Sequence, residues 1–339
     1  MRVAIVRLTA MGDVIHTLAS VQFIKAARPE VELTWFVEEK FAGIVENNPH
    51  VERIVPLRLH ALKKAFSLPA LGRIRRTVKA AGPFDLVVDV QGLIKSALVA
   101  KTAGGPVAGL DRASAREGVA SLLYERRYRV DCGGVAPMRF ASLLSQALEV
   151  PITEEMMAAK APYLFADEAR VDPAAEALFA SDRPNILVVT AASNASKAYP
   201  PGRWIETIKH LEGTNVLLVA GSETERRDAE TIAAATHARL LPPMDLNTLK
   251  HVVGRCDLLV GGDTGPSHLA WAMNRPSVLL FGATPKTMMF ETPLNVALTS
   301  GAPVHPCRFD KSDRSIASID PGRIASTVEK VLRIAPRHS

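Results

Sequence analysis

VAIVRLTAMGDVIHTL, residues Val3–Leu18, changes its pattern midway and so decides how the chain begins. Val3–Leu8 is an apolar run broken only by Arg7, which suits a strand buried on both faces. Thr9–Gly12 then forms a short loop. Asp13 stands at the N-cap of a helical pattern, Val14–Ala27, that Pro29 closes. The same start resembles a secretory leader only superficially. Arg7 and Asp13 interrupt the apolar run, no small-residue cleavage site follows, and a first strand is the expected reading.

The unit recurs along the chain. Leu33–Val37, Leu86–Val90, Ile186–Thr190, Val216–Ala220, Leu258–Val260 and Val278–Phe281 are further apolar runs, separated by amphipathic stretches with recognisable ends. Pro200-Pro201 opens a helix to Leu211, Asp245 precedes Leu246–Arg255, and Asp320-Pro321 opens a last helix to about Ile334. Alternating β and α order predicts an α/β fold built on doubly wound parallel sheets. The series occurs twice, around a Pro-rich stretch (Pro151–Arg183) with a helix expected near Ala174–Phe179. The expected domains are residues 1–165 and 180–318, with the helix of 319–339 packing back on the first. Ligands are then expected at the carboxyl ends of the strands.

Composition narrows the class. The 339 residues are 47% apolar and 22% charged, enough for two cores and unlike a disordered chain. Lys and Arg number 41 against 35 Asp and Glu, a formal +6 that favours an anionic partner. Aromatics at 5% speak against single-stranded nucleic acid, which needs stacking platforms. Three cysteines, Cys132, Cys256 and Cys307, lack metal-ligand spacing and point to a reducing compartment without a zinc site. No apolar run reaches the ~18 residues of a membrane span, so a cytoplasmic protein is expected.

Three strand-end loops carry candidate chemistry. In the first, Asp13 can cap the helix, act as a general base toward a hydroxyl, or do both. In the second, Gly261-Gly262-Asp263-Thr264-Gly265-Pro266-Ser267-His268 leads a buried strand into a helix whose free N–H groups would hold phosphate oxygens. It matches neither the Walker loop nor G-x-G-x-x-G. Asp263 would repel a pyrophosphate and is expected on neutral hydroxyls of a sugar or ribose. The third loop carries Ser193 and Lys197, a compact cation suited to a phosphate. Basic residues also collect in the first half.

Met11-Gly12-Asp13, DVQGLIKSA (Asp89–Ala97), AREGVASLLY (Ala115–Tyr124) and DTGPSHLA (Asp263–Ala270) resemble the lipopolysaccharide heptosyltransferases of glycosyltransferase family nine. QGLIKSA and AREGVASL look more like the type I than the type II members. The likeness runs over nearly the whole chain. It implies the GT-B fold, two Rossmann-like domains, and inverting transfer of L-glycero-D-manno-heptose from ADP-heptose to a Kdo residue of Kdo-lipid A, with no metal and no cofactor.

By position the resemblance makes Asp13 the catalytic base and sets Lys197 at the donor phosphates, where N–H groups near Thr264–Ser267 would assist. Ser193, Glu225, Met244, Asp263, Thr264, Gly265 and His268 fall at donor-binding positions, with Glu223 the alternative to Glu225 at the ribose. His60, Lys63, Lys64, Arg116 and Arg139 fall near acceptor-binding positions. The implied partners are the ADP-sugar, Kdo-lipid A and the anionic cytoplasmic face of the inner membrane, touched peripherally, with no nucleic acid. The alternatives are a type II or other family member and, more remotely, a sugar-nucleotide epimerase, a nicotinamide-dependent oxidoreductase or a sugar-binding protein.

Overall fold

Six strands of the first half form one parallel sheet: β1 (Arg2–Val6), β2 (Glu32–Glu38), β3 (Arg53–Leu57), β4 (Leu86–Asp89), β5 (Val107–Leu110) and β6 (Arg126–Tyr128). Their spatial order is β3-β2-β1-β4-β5-β6. A second parallel sheet contains β7 (Asn185–Val189), β8 (Asn215–Val219), β9 (Arg239–Leu240), β10 (Leu258–Gly262), β11 (Ser277–Phe281) and β12 (Asn295–Thr299). Its order is β12-β11-β10-β7-β8-β9. Counted within its own half, each sheet therefore reads 3-2-1-4-5-6, the doubly wound order. The winding reverses between β1 and β4 in one sheet and between β7 and β10 in the other. This computed structural model describes residues 1–64, 67–190, 194–307 and 309–336, with only the backbone described at 63 and 64.

All seven expected strands form. β3, β5, β6, β9 and β12 lie outside the seven apolar runs. β6 is mostly exposed Arg126-Arg127, β9 has two residues, and β3 is exposed at Arg53 and Pro56, so burial on both faces leaves no signature there. The first helix also differs. It runs over Met11–Leu18 and is followed by a separate helix, Val21–Ala27. Ala10 is its N-cap, and Asp13 sits at the third helical position, where Oδ2 accepts the Ala10 N–H at 3.2 Å. Asp13 supports the helix start from inside rather than as the cap.

The chain divides into compact units at Met1–Tyr163 and Leu164–Ser339. From Leu164 onward the expected linker belongs to the second. Asn247 accepts the Asp167 N–H at 2.8 Å and donates to the Asp167 carbonyl at 2.9 Å, and the Glu176 carboxylate meets His251 Nε2 at 2.7 Å. The helix there is short, Pro173–Glu176.

The last helix, Pro321–Ile334, corrects an expectation. Its apolar face (Ile324, Ala325, Val328, Val331) is buried in the second unit's core with Val260, Leu280 and Trp204. The second sheet needs that cover because its strands are apolar on both faces.

Candidate functional site

In the first unit the site grows from the two strands at the winding reversal. The loop after β1 carries Asp13, and the loop after β4 carries Gln91. Gln91 Oε1 accepts the N–H groups of Leu8 (2.8 Å) and Thr9 (3.3 Å), and its Nε2 donates to Thr9 Oγ1 at 3.0 Å. One amide thus fixes the backbone that leads to Asp13. Gln91 is itself held, since its N–H donates to Asp89 Oδ1 at 2.9 Å. Asp89 Oδ2 accepts the hydroxyls of Ser96 (2.8 Å) and Tyr124 (2.7 Å). Burial raises the Asp89 carboxyl above its ordinary range, although the bonds from Tyr124, Gln91 and Ser96 oppose this. Gly109 makes room for the tyrosine: a Cβ there would lie 2.4 Å from its ring.

Asp13 is held by a cation. Arg7 Nη2 lies 2.6 Å from Asp13 Oδ2, with the Arg7 side chain 6% exposed and that of Asp13 28%. Arg7 Nη1 donates to the Val90 carbonyl at 2.7 Å, and the guanidinium lies 4.4 Å from the Phe140 ring centroid. Burial lowers the Arg7 pKa from its ordinary value, while Asp13 and Asp89 oppose the shift. The Arg7 and Ala10 contacts of the Asp13 carboxylate both use Oδ2. A carboxylate held by one oxygen is oriented and keeps the other for a proton.

The cations expected at an acceptor divide. Arg139 is partly buried beside this cluster and donates to the Cys132 carbonyl at 3.1 Å. Its pKa is lowered by burial and pulled back up by the charge of Asp13, which sets the two within electrostatic reach. Arg116 is exposed, and its charge is felt at Arg7. His60 is exposed on the helix Leu59–Lys64, where its N–H donates to Glu38 Oε1 at 2.8 Å. Lys63 and Lys64 share that helix, but their side chains lie outside the described residues.

The second unit repeats the arrangement with different chemistry. Lys197 follows β7 and Asp263 follows β10, again the strands at the reversal. Lys197 Nζ lies 2.5 Å from Asp263 Oδ2, and His268 Nε2 lies 3.1 Å from Asp263 Oδ1. Burial would raise the Asp263 carboxyl, but the His268 hydrogen bond and the Lys197 charge outweigh it and hold the group far below the carboxylate range. Gly262 permits the approach of the two loops, since a Cβ there would lie 2.7 Å from the Lys197 carbonyl oxygen. The Lys197 ammonium also sits 5.2 Å from the Phe309 ring centroid.

Two expectations change here. Asp263, expected on ligand hydroxyls, is 3% exposed with both oxygens engaged by Lys197 and His268. It orients those two groups instead. The expected phosphate-binding helix start is a turn over Thr264–Ser267 before a five-residue helix, His268–Ala272. The N–H groups of Thr264, Ser267 and His268 already donate to the carbonyls of Gly262, Thr264 and Gly265 at 2.9, 3.1 and 3.2 Å. So short a helix has little dipole to add.

Glu225 lies at the third position of the helix Glu223–Ala234, where its Oε2 accepts the N–H groups of Gly221 (2.9 Å) and Ser222 (2.7 Å). That ties its carboxylate to the loop after β8. Glu223 points to solvent beside Arg227, at 3.8 Å. Met244 is half-buried in the loop after β9. Ser193 lies outside the described residues. A cavity of about 270 Å³ at the ends of β11 and β12, lined by Thr284, Lys286, Ser300 and neighbours, contains none of the expected donor residues.

Sequence reasoning passed over Arg7, Asp89, Gln91 and Phe309. Arg7 left a signal, because a lone arginine in a buried strand needs a counter-charge and Asp13 is six residues on. Phe309 left none; its role depends on where the 302–318 segment folds.

A model of glycosyltransferase family 9 (heptosyltransferase) matches residues 71–307. Lipopolysaccharide heptosyltransferase 1 of Campylobacter coli is 30% identical over 98% of this chain and 99% of its own. That of Pseudomonas aeruginosa is 35% identical over 84% and 79%. Among solved structures, Escherichia coli heptosyltransferase WaaC with ADP-2-deoxy-2-fluoro heptose matches with a TM-score of 0.78 at 27% identity, covering 97% of this chain and 99% of that one. Two doubly wound units that match this structure along nearly their whole length define a glycosyltransferase of the GT-B fold. Within that class, the chain belongs to glycosyltransferase family 9, the heptosyltransferases.

Proposed function

We propose that the chain transfers L-glycero-D-manno-heptose from ADP-heptose to a Kdo residue of Kdo-lipid A, with inversion and without a metal. The observation that carries this reading is the carboxylate of Asp13, at the end of β1 and held through one oxygen by the buried Arg7. In this scheme Asp13 takes the proton of an acceptor hydroxyl as that oxygen attacks the anomeric carbon, and ADP departs. Lys197, oriented by Asp263, meets the charge gathering on the diphosphate, the kind of preorganised electrostatics that supplies much of enzymatic rate enhancement. His268 lies in the same cluster. Thr264, Gly265, Glu225, Met244 and Ser193 complete the donor side. Arg116 and Arg139, with His60, Lys63 and Lys64, meet the acceptor's carboxylates and phosphates. The basic surplus supports peripheral contact with an anionic inner-membrane surface.

The test is incubation with ADP-heptose and Kdo-lipid A, followed by mass measurement of the lipid. A gain of one heptose is expected, and an acceptor already carrying heptose separates type I from type II transfer. Asp13→Ala should retain ADP binding and lose about 10²–10⁴-fold in turnover. Near-normal turnover would remove Asp13 from the role of base.

A further inference from the structure

Ten large apolar side chains are exposed among the described residues, and six of them lie on three neighbouring elements of the first unit. Leu68 and Leu71 are 70% and 42% exposed on the helix Leu68–Ala81. Ile94 and Leu98, at 44% and 54%, are four residues apart on the helix Ile94–Ala103. Val119 and Leu122, at 61% and 68%, are three apart on the 3₁₀ segment Gly118–Leu123. Four- and three-residue spacings put each pair on one face of its element.

The three elements are adjacent. Both helices pack together over the core that holds Val78, Ala97 and Ala100. The 3₁₀ segment is fastened along the second helix at both ends. Glu117 Oε2 accepts the Ile94 N–H at 2.7 Å, and Glu125 pairs with Lys101. Each helix leads into a strand of a parallel sheet and so runs against the strands. Their N-terminal halves, which carry Leu68, Leu71, Ile94 and Leu98, therefore lie toward the carboxyl end of the sheet, the end that bears Asp13.

The charge around these side chains is one-sided. Residues 68–81, 94–103 and 116–127 contain nine Lys and Arg against two Glu, a surplus larger than the +6 of the whole chain. Both acids are engaged, Glu117 by the Ile94 N–H and Glu125 by Lys101. Contiguous exposed apolar surface on a folded protein marks an interaction site. Apolar side chains ringed by cations suit the boundary between anionic headgroups and acyl chains. A second copy of the chain would bring the same cations against these ones, and like-charge repulsion disfavours that occupant.

We infer that Leu68, Leu71, Ile94, Leu98, Val119 and Leu122 form the surface by which this protein docks on an anionic lipid bilayer. The inference rests on the proposed lipid-linked acceptor and deepens it, because it assigns peripheral contact to one face. The apolar side chains enter the interfacial layer, and Arg73, Arg75, Arg76 and Arg126 stand over the headgroups. Docking at this end of the sheet presents the Asp13 loop toward a membrane-embedded acceptor.

The experiment compares the full chain with Leu98→Gln/Leu122→Gln and, separately, Arg75→Gln/Arg76→Gln. Each is sedimented with phosphatidylcholine vesicles with and without phosphatidylglycerol. The unaltered chain should bind only the anionic vesicles, less so in high salt. The leucine pair should bind at least about tenfold more weakly at every salt concentration. The arginine pair should bind the anionic vesicles more weakly at low salt and show a shallower salt dependence than the unaltered chain. Unchanged vesicle binding by the leucine pair would overturn the inference. So would light scattering showing a dimer of the unaltered chain that the leucine pair dissociates. Transfer to a water-soluble Kdo oligosaccharide keeps the two readings apart. The leucine pair should match the unaltered chain there, whereas absence of transfer by the unaltered chain would overturn the proposed reaction and leave the vesicle result intact.

Discussion

Replacing Arg7 by methionine tests whether Asp13 works because of where it is held. Met fills similar space under Phe140 but removes the 2.6 Å contact to Asp13 and the 2.7 Å bond to the Val90 carbonyl. The carboxylate then keeps only the Ala10 N–H at 3.2 Å, a contact weak enough for the side chain to change rotamer. A displacement of about 1 Å at a reacting group costs on the order of 10²-fold in rate, so kcat should fall by about that factor. Stability should suffer less. Breaking a fully buried ion pair costs about 3–5 kcal/mol. Asp13 is 28% exposed and can recover hydration, so a loss of about 1–2 kcal/mol is expected. The assay is ADP release under saturating donor and acceptor, with thermal melts alongside and Asp13→Asn and the double variant as controls. Residues acting as one unit are not additive, so the double variant should be no slower than Asp13→Asn alone. Unaltered kcat in Arg7→Met, or a double variant whose losses multiply, would refute the reasoning.

Lys197→Ala should raise KM for the ADP-sugar and lower kcat together, read from initial rates over a donor titration, because the cation proposed to meet the diphosphate is gone and Asp263 loses its ion-pair partner. Gln91→Leu leaves the Leu8 and Thr9 N–H groups without their acceptor at about 1–3 kcal/mol each. Denaturant melts should show that loss, and kcat should fall while ADP affinity stays unchanged. Burial pushes the Lys160 ammonium down to about 7. The folded protein thus holds this proton less tightly than the unfolded chain does. Between about pH 7 and 10.5 the unfolded state binds more protons, and stability rises with pH across that window. Lys160→Met should therefore be more stable than the parent at pH 6 by a few kcal/mol, at about 1.4 kcal/mol for each tenfold loss of proton affinity on folding. In paired urea melts the difference should fade toward pH 10.

The architecture was legible wherever burial is two-sided. Runs such as Ile186–Val189 and Leu258–Val260 need apolar residues at every position, and that leaves an unmistakable pattern. Arg126-Arg127-Tyr128 joins its sheet through backbone bonds at an edge, with both arginines exposed, and nothing in its composition records the pairing. The last helix shows another limit. Its amphipathic stripe announced a buried face but not the sheet that buries it, since partner choice is a property of the tertiary contact. At the candidate site, strand-end loops pointed to Asp13, Lys197 and Asp263, and each of these sits in an ion-paired cluster. Their mutual contacts were not legible: Asp263 is consumed by Lys197 and His268, and Gln91 reaches across 82 residues to Thr9. Side chains that serve the backbone of a distant loop carry no local periodicity.

The placement of Pro321–Ile334 also bears on biosynthesis. The first unit is contiguous in the chain and can close while translation continues. In the second, every strand is made before the final apolar cover emerges, so β10 and β11 stay partly unsheathed until that helix leaves the ribosome. A premature stop ahead of Pro321 would release a polypeptide with a finished front half and a sticky rear one, a natural client for chaperones and proteases rather than a shortened enzyme.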